Sequence, residues 1–282
     1  MTHPDWLLVT RGDAPLIVSV PHAGTDLPGD VAARLVSPWL ARKDADWHLA
    51  QLYDFAVGLG ATLVRTTVSR TVVDVNRDPS GQSLYPGQTT TALCPVETFD
   101  GEPLYVPGQA PDDAEIAARR ARFFVPYHQG LAVELARLRA LHEHVVLYDC
   151  HSIRSVIPRL FAGELPQWNI GTNHGVTCSP RLTAIVEGHC DRSGLSRVTN
   201  GRFTGGYITR HYGRPDDGVH AIQMELACRG YMREPDRPAR DTWPSPYVET
   251  EAAPLRATLD AILEGTVAFA LDLAAKPAKG VL

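Results

Sequence analysis

PLIVSVPHAG, residues 15–24, is a β-branched, apolar run that stops at Pro21. It reads as a buried strand ending in a loop, which puts His22 just past the strand's C-terminal end. HVVLYDCHS, residues 144–152, repeats the pattern and delivers Asp149, His151 and Ser152 at its exit. VHAIQMELACRGYM, residues 219–232, is a further apolar strand and carries Glu225.

Helical segments separate these strands. Across residues 44–59, Trp47, Leu49, Leu52, Tyr53, Ala56 and Leu59 recur at mainly three- and four-residue spacing, which predicts a helix ending near Gly58 and Gly60. ATLVRTTVSR (61–70) reads as another strand, and NRDPSGQSLYPGQ (76–88) as a long ordered loop. Residues 111–142 are helical in composition: their acidic start suits the positive end of the helix dipole, and Pro126 is expected to interrupt or kink them. Helices are also expected over 179–194 and 252–274, the latter with Leu255, Leu259, Ile262, Leu263, Val267 and Leu271 on its stripe. NGRFTGGYITRHYG (200–213) reads as a glycine-rich loop over a site. Alternating strands and helices predict an α/β fold, a mixed, mostly parallel central sheet with helices on both faces. With no internal repeat or low-complexity linker, residues 1–282 read as a single domain.

Composition narrows the function. Apolar residues make up 44% and charged residues 21%, as in a globular protein, and a net charge of -5 offers no basic field for nucleic acid. The charged N-terminus MTHPDWLLVTRGD reads as neither signal peptide nor membrane span, so a cytoplasmic protein is expected. Cys94, Cys150, Cys178, Cys190 and Cys228 are scattered and never spaced CxxC, which argues against a disulfide framework or a cysteine zinc cluster. Cys150 reads as a small buried hydrophobe.

In open α/β sheets ligands bind at the carboxyl ends of the strands, where this reading gathers His22, Asp149, His151 and Glu225. A catalytic zinc uses three nitrogen or carboxylate ligands and keeps a fourth position open, so two histidines and one acid would satisfy it. Asp44 and Asp46 are both available as the acid; on a helix they lie about 200° apart, and spacing chooses neither of them nor excludes His48. Asp149 is expected on the side opposite His151 if its strand continues, and as a supporting partner only once the chain turns. His211 and His220 are candidates to steady a developing oxyanion or to orient a neighbouring carboxylate.

VSVPHAG, DADWHLAQLYDFA, SRTVVDVNRDPSGQSLYPGQ, DCHSIRS, GGYITRHYG and HAIQMELACRGYM, in this order over about residues 15–235, together resemble the N-formylglutamate amidohydrolase family. The resemblance implies a fold similar to zinc exopeptidases and zinc-dependent peptidoglycan amidases. It implies His22, Asp46 and His151 as metal ligands and Glu225 as the general base and acid. The implied reaction releases formate and L-glutamate from N-formyl-L-glutamate, a step of histidine degradation. Arginine matches carboxylates with a planar fork, so Arg77 and Arg210 in the family's distinctive loops, with Asn76 and Arg154, are the candidates for holding the substrate's two carboxylates. Other divalent metals suit the same ligands. Two rival readings remain: an amidase or deacylase for another N-acyl amino acid or peptide, and a non-catalytic binding protein for acidic metabolites. The sequence leaves the oligomeric state open.

Overall fold

Strand β2 (Leu16–Val20) sends Leu16, Val18 and Val20 into one hydrophobic core and Ile17 into another, as the period-two backbone requires. The computed structural model describes residues 3–84 and 87–274. Strands β4 (Val145–Ile153) and β7 (Val219–Ala227) divide their side chains in the same way. Val146, Tyr148, Cys150, Ile222, Met224 and Leu226 join the first core, and Val145, Leu147 and Ala221 the second. Burial on both faces explains why these segments read as almost unbroken apolar runs.

Strands β1 (Leu7–Thr10), β3 (Thr62–Thr66), β5 (Trp168–Gly171) and β6 (Arg197–Thr199) complete a seven-stranded sheet of order β1-β3-β2-β4-β7-β5-β6. The central β3, β2, β4 and β7 run parallel, whereas β1 and the β5–β6 pair run antiparallel to the strands they join. The mixed, mostly parallel α/β sheet expected from the sequence is therefore present. The sequence reading missed β1, β5 and β6, because runs of three or four residues are too short to establish a period.

Helices cover both faces. The short turns α1 (Gly29–Ala32) and α2 (Leu49–Leu52) precede β3, and α3 (Asp113–Arg119) and α4 (Val125–Arg139) precede β4. The other helices are α5 (Pro180–Arg192), α6 (Tyr207–Tyr212) and α7 (Glu249–Ala274). α5 and α7 pack on the first core through residues such as Leu182, Val186, Leu259 and Leu263, and α4 on the second through Tyr127, Leu131 and Leu138. Asp112 and Ser179 cap α3 and α5 by accepting backbone N–H groups. Pro126 does not stop its helix. A π-helical turn, Arg120–Phe124, joins α3 to α4 just before it, and this wider turn accommodates the missing N–H.

Three expectations need correction. The helix predicted over 44–59 is α2 followed by a 3-10 turn, Asp54–Val57, and Asp44 and Asp46 precede both. His48, with φ 61°, blocks a helix from running back through it, although Leu49, Leu52, Tyr53 and Ala56 are buried as their spacing implied. The glycine-rich segment 200–213 is a loop only as far as α6. Leu271 is exposed, its place in the core taken by Phe269 and Ala270. The described residues of loop 76–88 hold no helix or strand; Tyr85 and Pro86 lie outside the described residues. Among the described residues, no helix is long and apolar enough to cross a membrane.

Candidate active site

The parallel register aligns the C-terminal ends of three strands, pairing Ser19 with Asp149, Asp149 with Gln223, and His151 with Glu225. On the face that begins with Ile17, Leu147 and Ala221, apolar side chains give way towards those ends to Ser19, Asp149, His151, Gln223 and Glu225. Asp149 therefore shares a face with His151, contrary to the sequence expectation. β4 continues to Ile153, and residues two apart on a strand point the same way.

His22 Nε2 lies 2.7 Å from Asp74 Oδ1, and His151 Nε2 lies 2.9 Å from Asp149 Oδ2. A carboxylate only accepts, so His22 Nε2 carries a proton and Nδ1 of the neutral ring is a bare lone pair. His151 Nε2 meets both Asp149 Oδ2 and the Asn76 amide nitrogen, each at 2.9 Å, and the charged carboxylate, the stronger partner, gives it the same tautomer. The two Nδ1 atoms face each other at 3.1 Å, and Asp46 Oδ2 lies 3.8 Å from the first and 3.4 Å from the second. Converging acceptors repel unless a proton or a cation lies among them. All three residues are buried. Among the described residues, this is the one group of three whose ligand atoms fall within 4.8 Å of one another.

Asp46 reaches the group from a turn rather than a helix. Its backbone N–H donates to the His22 carbonyl at 3.0 Å, and its Oδ2 accepts from the Ser152 N–H at 3.1 Å. Its Oδ1 has no hydrogen-bond partner, with Arg70 Nη1 at 3.5 Å. Asp44 faces elsewhere: it accepts from the Phe99 N–H and lies 3.6 Å from Arg154. His48 pairs with the Ser245 carbonyl. The donor set thus fits a divalent metal on two imidazole nitrogens and one carboxylate, with carboxylates behind both rings fixing their tautomers.

The carboxylates around these atoms favour a positive charge among them, whether a proton or a cation. Burial disfavours a charged His151, but Asp149, Asp46 and Glu225 outweigh it and push the ring up to about 10. Burial and nearby Arg70 instead hold His22 below its ordinary value. Burial opposes ionisation of Asp46 and Asp74, yet Asp46 is held low by the two histidines, and Asp74 well below the usual carboxylate range by Arg77, His22 and Arg70. Burial raises Glu225 to about 7; Asp46 adds to the rise, and His151 and the arginines oppose it. Gln223 donates to Glu225 Oε2 at 3.2 Å and accepts from the Gly206 N–H at 2.8 Å.

A pocket opens onto His22, His151 and Glu225, and Asn76 and Arg77 also line it. Asn76 Nδ2 lies 2.9 Å from His151 Nε2 and 3.4 Å from Asp149 Oδ2, and its Oδ1 accepts from the Ile208 N–H, so it braces the His151–Asp149 pair. The structure does not bring the other candidates to this pocket. Arg154 pairs with Asp100 over a neighbouring cavity, and Arg210 bonds Gly205 and Thr204. His211 stacks on Tyr207. His220 sits at the opposite end of β7, against His144 and Phe269. Conversely, Arg70, Asp74, Gln223 and Arg202 belong to the pocket or its support and escaped the sequence reading. A signal was available for two of them: Arg70 and Asp74 flank an apolar stretch at four-residue spacing, and buried charges need partners.

Known proteins resemble this chain over most of its length. Residues 14–232 match the family model described as N-formylglutamate amidohydrolase. N-formylglutamate deformylase of Pseudomonas aeruginosa is 46% identical over 254 residues, covering 90% of this chain and 94% of the relative. That of Pseudomonas putida is 43% identical over 263 residues, covering 93% and 96%. A crystal structure of N-formylglutamate amidohydrolase from Ralstonia eutropha shares the fold, with a TM-score of 0.75 at 22% identity over 94% of this chain and 98% of that one. A chain so closely related over most of its length is an amidohydrolase, and it belongs to the N-formylglutamate amidohydrolase family.

Proposed function

We propose that the chain hydrolyses N-formyl-L-glutamate to formate and L-glutamate, with His22, Asp46 and His151 holding a divalent metal, zinc in the first instance. The observation that carries this reading is the meeting of two imidazole Nδ1 atoms and Asp46 Oδ2, each ring backed by a carboxylate on Nε2. The ion, when bound, supplies Lewis acidity toward water and the amide carbonyl.

The chain's own residues account for the rest. Asp74 and Asp149 hold the two rings as Nε2–H donors, so that both Nδ1 lone pairs point at one place. Gln223 occupies Glu225 Oε2 and leaves Oε1 to take the proton from the attacking water. Glu225 then returns that proton to the departing amine as the carbon–nitrogen bond breaks. Its position near 7 suits a group that must both accept and release a proton at neutral pH. Arg77, on the pocket wall, is assigned to the substrate's α-carboxylate, and Asn76 to positioning His151 and Asp149. Arg154 and Arg210 are left out of the proposed substrate set because neither lines this pocket, whereas Arg77 does. Histidine degradation in the cytoplasm is the setting this reading implies.

The test is formate release by zinc-loaded protein from N-formyl-L-glutamate, set against cleavage of N-acetyl-L-glutamate and of N-formyl and N-acetyl peptides. The reading predicts that N-formyl-L-glutamate gives the highest kcat/KM. Faster cleavage of an acetylated or peptide substrate would reassign the chain to a broader N-acyl amidase.

A further inference from the structure

Three arginines line the pocket. Arg70 holds Asp74 at 2.7 Å and Asp46 at 3.5 Å and so belongs to the metal-ligand support, and Arg77 and Arg202 stand on the wall beside it. Both are anchored to one short stretch, residues 89–91, outside any helix or strand. Arg77 donates from Nε to the Thr91 carbonyl at 3.1 Å and from Nη2 to Thr91 Oγ1 at 3.0 Å. Arg202 donates from Nη2 to the Thr89 carbonyl at 2.8 Å and from Nε to the Leu160 carbonyl at 2.9 Å.

Anchors two residues apart in the chain stand no more than about 7 Å from each other, a span within which the two carboxylates of a glutamate fall. Leu160, Phe203, Ile153 and Phe99 share the pocket wall and suit the methylenes between them. The order is also set. Arg77 stands 3.8 Å from Asp74, whose other oxygen holds His22, so it is the arginine near the scissile amide. Arg202 stands with Leu160 and Phe203, further along the wall.

We propose that Arg202 is a specificity-determining residue that receives the side-chain carboxylate of an N-acyl-glutamate, while Arg77 receives the α-carboxylate. This inference rests on the deformylase reading for its substrate, but only on the pocket for its preference between a charged and a neutral side chain. Arginine's planar fork, held by two carbonyls, suits a carboxylate, and a charge-assisted pair contributes roughly 1.5–3 kcal/mol, or about 10–150-fold.

The experiment compares wild type, Arg202→Gln and Arg202→Lys, all zinc-loaded. It uses N-formyl-L-glutamate and N-formyl-L-glutamine for turnover, and L-glutamate and L-glutamine for calorimetric binding. Arg202→Gln should lower kcat/KM for the glutamate substrate by about 30-fold or more and leave the glutamine substrate within about threefold. Arg202→Lys should recover part of the loss, and Arg77→Ala should depress both substrates together. Equal losses on both substrates in Arg202→Gln would make Arg202 a structural anchor and overturn the proposal. Wild type that does not prefer glutamate to glutamine, in turnover or binding, would overturn it too. An Arg202-dependent preference for binding glutamate, in protein that releases no formate, would sink the deformylase reading and keep this subsite.

Discussion

Two imidazole Nδ1 atoms 3.1 Å apart, with a carboxylate oxygen beside them, define the chemistry of this site at the scale of single residues. Asp149 fixes one of those rings, so Asp149→Asn should weaken zinc binding by about 10–100-fold. A competition titration with a chromophoric chelator reads that loss, and unchanged affinity would remove Asp149 from the support of His151. Glu225→Gln should keep the metal while kcat falls by about 10²–10⁴-fold, because the substituted amide cannot carry the proton. A rate near wild type would give that role to another group. His22, His151 and Glu225 were legible in the sequence because each stands at or beyond the end of an apolar strand. The choice between Asp44 and Asp46 was not, because an argument from helical spacing fails on residues that precede the helix. Arg70, Asp74 and Gln223 were hidden for a related reason: their roles depend on which strand lies beside which.

At the scale of elements, the site depends on how closely α6 and its preceding loop approach the strand ends. A Cβ on Gly206 would stand 2.3 Å from the Asn76 side-chain nitrogen, so Gly206→Ala must displace the amide that braces Asp149. Overpacking of this kind costs about 1–3 kcal/mol, and kcat/KM should fall by at least about tenfold. Thermal unfolding together with formate release checks both, and an active, equally stable variant would show that α6 gives way freely. His220 makes the contrasting case. It lies at the far end of β7, where its Nδ1 accepts from the Ser179 N–H at the start of α5. His220→Asn should therefore leave turnover within about twofold, and a large loss of activity would contradict that placement. The strand ends were readable from composition, but the approach of α6 was not, since a glycine-rich segment specifies freedom rather than direction.

For the whole molecule, acid stability follows from groups buried in their neutral form. Burial, with His144 and Arg139 nearby, lowers His220 to about 4. Its folded value lies below the unfolded value of about 6.5, so its contribution is fully present above pH 6.5 and is lost as pH falls towards 4. By pH 5.5 the loss is about 1 kcal/mol. Comparing Tm for wild type and His220→Asn across pH 7 to 4.5 isolates this contribution: the wild-type curve should fall more steeply, and parallel curves would exclude it. The sheet was legible at this scale, because strands buried on both faces leave unbroken apolar runs. Its antiparallel edge was not, being built from short strands.

The convergence of His22, Asp46 and His151 is proposed to hold the metal on which amide hydrolysis depends. Chelation to remove metal, followed by stepwise restoration of zinc, tests this when bound zinc and formate release from N-formyl-L-glutamate are followed in the same samples. Activity should be lost on chelation and rise in proportion to bound zinc, reaching full rate at one ion per chain. Undiminished formate release from protein shown to be free of metal would contradict it.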